Sequence, residues 1–270
     1  MSAAFANVGR TGRCGRSSVV QGGLWKTRLV SENYFGEEVA AEYEGSAEHD
    51  PMFSAEVIGA TVEFLAQLAD GGRALELGIG TGRIALPLAE RGVQVHGIDL
   101  SEEMVARLRA KLGADDIEVT IGDFATTKVE GTFTLAYLVY NTIQNLRTQD
   151  AQVSCFENVT SHLDRGGCFV IEVGLPDLKG EDLRIFDFSG LHIGIDEYDV
   201  ANQGLISHHY TRTADGTFKY GSGPFRYVWP SELDLMARIA GLTPRERWSG
   251  WKREPFTSTS EKLVGVWEKP

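Results

Sequence analysis

The segment that most constrains this chain is Glu76-Leu77-Gly78-Ile79-Gly80-Thr81-Gly82. It stands between the apolar run Arg73-Ala74-Leu75-Glu76-Leu77 and a stretch with helical spacing through Ile84, Leu86, Leu88 and Ala89. A strand must therefore end, turn through glycines and open a helix. Glycines there let the backbone approach a ligand closely, and the N-terminus of the following helix favours polar or anionic groups. Asp99 ends the next apolar run, residues 93–98, and lies 19 residues after Gly80. A carboxylate at that place accepts hydrogen bonds from both hydroxyls of a ribose. Together these features point to a nucleoside-containing cofactor. The dinucleotide pattern G-x-G-x-x-G would need glycine at position 83, where Arg83 stands, and no G-K-[ST] is present, so the loop is not a P-loop. Glu76 suits a cationic ligand end better than a pyrophosphate.

Strands and helices alternate around this loop. Ser101 is an N-cap, with Glu102 and Glu103 favourable in the first turn of a helix that runs to about Leu112 and stops at Gly113. Residues 117–121, 133–139 and 168–173 are three more apolar runs. A helix at about 148–163 precedes the last of them and ends in Asp164-Arg165-Gly166-Gly167. Such alternation implies βαβ units and a doubly wound, mostly parallel sheet covered on both faces, with its ligand at the carboxyl ends of the strands. From about 177 the pattern changes to short β-like runs at 191–199, 204–212 and 217–228, and Asp215-Gly216 reads as a hairpin turn. Ser231 and Asp234 then read as a capping-box variant opening a last helix, ended by Gly241, and residues 262–268 as a final strand. The chain divides into a core at 32–176 and 229–270 and an antiparallel insertion at 177–228.

The length of 270 residues suits one large domain carrying an insertion. A net charge of -12 argues against nucleic acid as the main partner. No apolar run approaches the ~20 residues that span a bilayer. Residues 1–31 hold no acid but carry Arg10, Arg13, Arg16, Lys26 and Arg28 among many Gly, Ser and Ala, and read as a disordered tail. Cys14, Cys155 and Cys168 match neither a disulfide framework nor a zinc site, and cytoplasm is the default compartment.

These residues resemble the class I S-adenosylmethionine (SAM) dependent methyltransferases, of the bacterial small-molecule type that methylates N or O atoms. The resemblance covers about residues 32–270. The family motif E-x-G-x-G-x-G falls on Glu76, Gly78, Gly80 and Gly82, and its acidic end of the second strand on Asp99. It implies a seven-stranded Rossmann-like sheet whose final strand is antiparallel, and SAM as cofactor. Gly122-Asp123-Phe124 looks like the motif that holds adenine: Asp123 is implied to bond the adenine amino group, and Phe124 to pack on its plane or donate a backbone N–H. Leu138-Val139-Tyr140-Asn141-Thr142 ends the fourth strand, where family members place groups near the methionine part, so Tyr140 joins the cofactor set. Tyr34 and Tyr43 lie in a segment that family members often fold over the cofactor as a helical cap. The chain departs from the nucleic-acid branches, lacking [DN]-P-P-[YFW] and a Pro-Cys nucleophile, and no metal cluster is recognisable. Two alternatives stand beside this reading: a nucleotide-dependent oxidoreductase, and a non-catalytic protein of the same fold.

An amine acceptor can attack an activated methyl unaided, whereas a hydroxyl acceptor needs a general base within hydrogen-bond reach. His208 and His209 are the candidate bases. They lie in the insertion, which is expected to roof a small-molecule pocket, and strand alternation sends one of them inward. His96, His162 and His192 read as structural. Asn141, Gln144 and Asn145 stand near the expected methyl position. The insertion's aromatics, among them Tyr198, Tyr210, Tyr220 and Tyr227, suit a pocket wall as well as ordinary strands. The acceptor itself and the oligomeric state are not legible.

Overall fold

The computed structural model describes residues 36, 37, 39, 40, 43, 51–178, 183–213 and 215–270. Tyr34, Cys14 and the tail at 1–31 therefore lie outside the described residues. The described residues belong to one compact unit.

The core elements follow the apolar pattern. In order they are α1 (Ala55–Ala69), β1 (Arg73–Leu77), α2 (Ala85–Glu90), β2 (Gln94–Asp99), α3 (Glu102–Arg109), β3 (Glu118–Ile121), β4 (Phe133–Leu138), α4 (Gln149–His162) and β5 (Leu163–Gly174). After the insertion come α5 (Pro230–Ile239), β10 (Thr243–Trp248) and β11 (Lys262–Glu268). The central sheet has seven strands in the order β10-β11-β5-β4-β1-β2-β3. Its first-built strands pair in parallel, while β11 runs antiparallel to β5 and β10 antiparallel to β11. β1, β4 and most of β5 are buried along their length because helices cover both faces. One face packs Phe156, Val159, Leu233 and Met236 from α4 and α5 against Leu75, Phe169 and Trp267. The other packs Phe64, Leu65, Leu88 and Leu108 from α1, α2 and α3. The edge-to-face contacts Phe156–Phe169 at 5.0 Å and Phe156–Trp267 at 5.8 Å close the first face; aromatic pairs of this kind add about 0.5–1.5 kcal/mol beyond their burial.

The insertion is a separate antiparallel sheet of four strands: β6 (Leu183–Phe188), β7 (His192–Asp199), β8 (Gly204–Arg212) and β9 (Phe218–Arg226). The sequence pattern shows only three, because a bulge between Ile185 and Asp187 breaks the alternation of apolar and polar residues in β6. The Asp215-Gly216 turn joins β8 to β9, with Gly216 at φ 87°. Arg226 pins the sheet to the core. Its guanidinium reaches Gln152 on α4, and also Gln203 at 3.2 Å and Glu232 on α5 at 2.7 Å.

Three local expectations change. The helix after Ser101 ends at Arg109 rather than Leu112, since Leu112 is left fully exposed and only Met104, Val105 and Leu108 anchor the helix. β5 begins at Leu163, five residues before the apolar run, because Leu163 pairs with Phe133 across a bulge. The last helix is capped by Trp229 with Pro230 in its first turn, so Ser231 is no cap, and Asp234 instead bonds Trp267 Nε1 at 3.0 Å and Arg247 at 2.5 Å. Among the described residues no helix is long and apolar enough to cross a membrane. No cluster of His, Cys, Asp and Glu among them could hold a metal ion.

Candidate active site

The glycine turn forms as its sequence requires. Gly78 and Gly80 take φ values of 73° and 55°. Such angles are uncommon for residues with a Cβ, and a Cβ on Gly78 would lie 2.6 Å from the Thr142 methyl. Gly78 N–H donates to the Ile98 carbonyl at 2.7 Å, fixing the turn against β2.

Asp99 is set by the same turn. Its Oδ2 accepts from Gly80 N–H at 2.6 Å and its Oδ1 from Ser101 N–H at 2.8 Å. Burial raises its pKa, and those N–H groups pull it back. Ser101 caps α3 through Met104 N–H at 3.1 Å. One loop beyond, Gly122 N–H donates to the Asp99 carbonyl at 2.8 Å, and Asp123 Oδ1 accepts from Ala125 N–H at 2.9 Å. Asp99 and Asp123 thus sit at adjacent carboxyl ends, of β2 and β3. Phe124 is buried in the core, so its ring belongs to the packing rather than to an open ligand face.

Glu76 lies deeper than its motif suggests. It is buried, and its Oε2 accepts from the Tyr137 hydroxyl at 3.0 Å. Burial pushes its carboxyl up to about 8, against the pull of that hydroxyl and of the Arg83 charge. Burial also raises the Tyr137 phenol, as does the neighbouring Glu76.

The end of β4 carries a strained pair. Tyr140 and Asn141 take φ values of 56° and 61°. Left-handed non-glycine residues cost of order 1–3 kcal/mol each and cluster at functional sites. Here β5 holds them: Tyr140 N–H donates to Glu172 Oε2 at 2.9 Å, Asn141 N–H to the Glu172 carbonyl at 3.3 Å, and Asn141 Oδ1 accepts from Gly174 N–H at 2.6 Å. Gln144 is buried just beyond, and Asn145 donates back to the Thr142 carbonyl at 3.1 Å.

Arg83, which the glycine pattern marks only as a misfit, links these parts. Its guanidinium lies 5.2 Å from the ring centres of both Phe53 and Tyr140 and donates to the Met52 carbonyl at 2.9 Å. Tyr43 meets Phe53 edge-on at 5.5 Å. An arginine held between two aromatic faces gains cation–π attraction as well as hydrogen bonds. Glu172, the other missed residue, was visible as a lone acid in an apolar strand. Burial raises its pKa, and the Tyr140 N–H and the Arg83 charge counter that rise.

The two candidate bases part company. Along β8, Leu205, Ser207 and His209 share one face, and Ile206, His208 and Tyr210 the other. His208 meets Tyr220 Oη at 2.8 Å and Glu197 at 3.3 Å. His209 meets His192 at 3.0 Å and Ser207 at 3.2 Å. His96 bonds Glu118 and Thr120, and His162 accepts from Val129 N–H, both within the fold as expected. β9 packs against the turn Thr142–Asn145, which brings the insertion to the carboxyl end of β4.

Comparison with known proteins agrees with this geometry. Residues 74–167 match the family described as methyltransferase domain. The CcbJ methyltransferase of Streptomyces caelestis is 30% identical, with a TM-score of 0.77 over 87% of this chain and 97% of that one. The cypemycin N-terminal methyltransferase of a Streptomyces species is 27% identical over 212 residues, covering 74% of this chain and 84% of that protein. CalS10 of Micromonospora echinaspora, an amino pentose methyltransferase solved with SAM bound, shares the fold at 19% identity and a TM-score of 0.64, covering 85% of this chain and 96% of that one. A glycine turn whose Gly80 N–H meets the Asp99 carboxylate, at the carboxyl ends of a sheet shared with these proteins, makes this chain a member of the class I SAM-dependent methyltransferases.

Proposed function

We propose that this protein transfers a methyl group from SAM to a nitrogen atom of a small-molecule amine. The observation that carries the reading is the convergence, at the carboxyl ends of β1, β2 and β4, of the Gly78–Gly80 turn, the Asp99 carboxylate and the strained Tyr140–Asn141 pair. The residues fit the cofactor. Asp99 has a carboxylate at the ribose position, Asp123 an acceptor at the adenine position, and a side chain on Gly78 would collide with Thr142. Phe124 can offer adenine its backbone N–H, since its ring is buried. Glu76, Arg83, Tyr140 and Tyr43 are assigned to the methionine end: Arg83 suits its carboxylate and Glu76 the charge of its cationic groups.

When bound, SAM supplies a methyl group already activated on a sulfonium sulfur. The chain's task is then alignment and exclusion of water more than chemical activation. Asn141, rigid in its bond to Gly174, suits orienting a polar acceptor. The insertion, anchored through Arg226, suits the role of roof. Nitrogen is favoured over oxygen by the cypemycin relative, whose name is that of an N-terminal methyltransferase. The test is to offer the protein SAM with amino sugars, short peptides with free amines, and phenols, and to weigh the products. A gain of one methyl on amines supports the reading. A gain on phenols alone contradicts it.

A further inference from the structure

The insertion sheet has two faces, and the chain covers much of one. Leu205 and Ser207 on β8 and Gly223 on β9 belong to that face and are buried. Side chains one position along each strand point the other way. On this second face Leu183, Ile185, Phe188, Ile206, Phe218 and Tyr220 stand 40–78% exposed. The bulge in β6 sorts its residues between the faces. Phe186, the extra residue, lays its ring over Gly194 on the covered face. Leu183, Ile185 and Phe188 are left on the open one, opposite Glu197, Ile195 and Ile193 of β7.

Register makes the open patch continuous. Phe188 is paired with Ile193, Ile193 with Tyr210, and Tyr210 with Tyr220, an unbroken apolar row across all four strands. The Tyr210 and Tyr220 rings lie 5.0 Å apart. The next row starts with Ile185 and Ile195 and reaches His208, which meets Glu197 at 3.3 Å. The ionisable groups at the centre of the patch therefore face each other, while Arg212 and Asp199 lie at opposite ends of their strands. A fully exposed side chain of this size offers on the order of 200 Å², so the six exposed residues leave roughly 700 Å² of mostly apolar surface in water. The largest apolar patch on a typical monomer is about 300–600 Å². A stable interface buries about 800 Å² on each partner. The patch exceeds the first figure and, with half-buried Ile193, Ile195 and Tyr210 beside it, approaches the second.

We propose that this face packs on the same face of a second copy of the chain, giving a twofold dimer in which the two insertion sheets stack as a sandwich. A sheet with an apolar face must bury it against another layer, and here the second copy supplies that layer. Two twisted sheets stack about 10 Å apart with their strands within about 30° of each other, and a twofold axis makes one patch its own complement. The area favours a second copy, because it matches what one partner of a stable dimer contributes. Charge favours it too. With Glu197 and His208 turned to each other, the centre of the patch offers nothing to select a nucleic acid, a charged peptide or a lipid headgroup. The net charge of -12 on each copy opposes association, but salt screens such repulsion beyond about 8 Å at physiological ionic strength. The dimer stands on the insertion sheet alone and does not depend on the methyltransferase reading.

Sedimentation velocity of the full chain between about 1 and 50 μM tests the proposal. The parent should sediment as a dimer at the upper end. Its Kd should fall between 50 mM and 500 mM salt, because screening weakens the repulsion while apolar burial persists. Ile185→Glu and Phe188→Glu each change an exposed side chain on an edge strand, so both variants should fold, which circular dichroism checks. Each substitution acts twice in a twofold interface and should raise the dimer Kd about 100-fold or more. Leu112→Glu, at an exposed apolar residue outside the insertion, should leave Kd within about twofold. A parent that stays monomeric to 50 μM overturns the dimer, as does a dimer that survives both glutamates. A monomeric parent that loses thermal stability on Phe188→Glu has the face covered by another part of its own chain. One that co-sediments with phosphatidylcholine vesicles has it covered by lipid. Either result also overturns the proposal.

Discussion

Glu76 makes the sharpest quantitative prediction. Its carboxyl is buried and pushed up to about 8, against about 4.5 when unfolded. The folded chain therefore holds a proton that the unfolded chain releases, and stability present below about pH 4.5 is lost as pH rises through about 8. At 1.36 kcal/mol per tenfold change, the whole loss is about 5 kcal/mol, of which roughly 3 kcal/mol falls between pH 6 and pH 9. Glu76→Gln removes the titration with little change of shape. The Gln amide keeps both an acceptor and a donor, and the Tyr137 hydroxyl can rotate to accept from the new N–H. Thermal unfolding should therefore show the variant gaining on the parent as pH rises. For a chain this size the gain is of order 5–10 °C between pH 6 and pH 9. A constant difference across that range, or a variant that loses ground at pH 9, refutes the reasoning.

Further outcomes follow from the same contacts. Asp99→Ala should weaken S-adenosylhomocysteine binding by about 1–3 kcal/mol, read by calorimetry, because a carboxylate aimed at the ribose is lost. Gly78→Ala should cost about 1–3 kcal/mol of stability in denaturant, and Thr142→Ser in the same chain should return part of it by removing the methyl that the new Cβ meets. Arg226→Ala should cost about 2–4 kcal/mol, since Glu232, its side chain only 11% exposed, is left without its cation, and the loss should exceed that of the double variant with Glu232→Gln. In binding, a cation beside Glu76 favours its ionised form, so SAM affinity should rise with pH through about 8 in the parent and stay flat in Glu76→Gln.

The sheet was legible because its signals are local. Gly78, Gly80, Asp99 and Ser101 each declare themselves through turn, cap and period within a few residues, and the structure brings them together through bonds as short as 2.6 Å between Gly80 and Asp99. What the sequence hid depends on neighbours far along the chain. Arg83 gains its role only because Phe53 and Tyr140 flank it, and Glu172 only because Tyr140 turns left-handed above it. His208 and His209 look alike as a pair, but packing against β9 gives one an exposed tyrosine and packing against β7 gives the other a histidine. Ser231 shows the reverse: a good local cap signal loses to Pro230, whose fixed φ suits the first turn, one residue earlier.

The central claim, that the turn and Asp99 hold the adenosyl cofactor, is tested most directly by calorimetric titration of the full chain with S-adenosylhomocysteine, with NAD and NADP as parallel ligands. The account predicts micromolar binding of S-adenosylhomocysteine, weakened in Asp99→Ala, and none of the dinucleotides. A folded protein that binds NAD or NADP instead, or that binds S-adenosylhomocysteine equally well without Asp99, contradicts it.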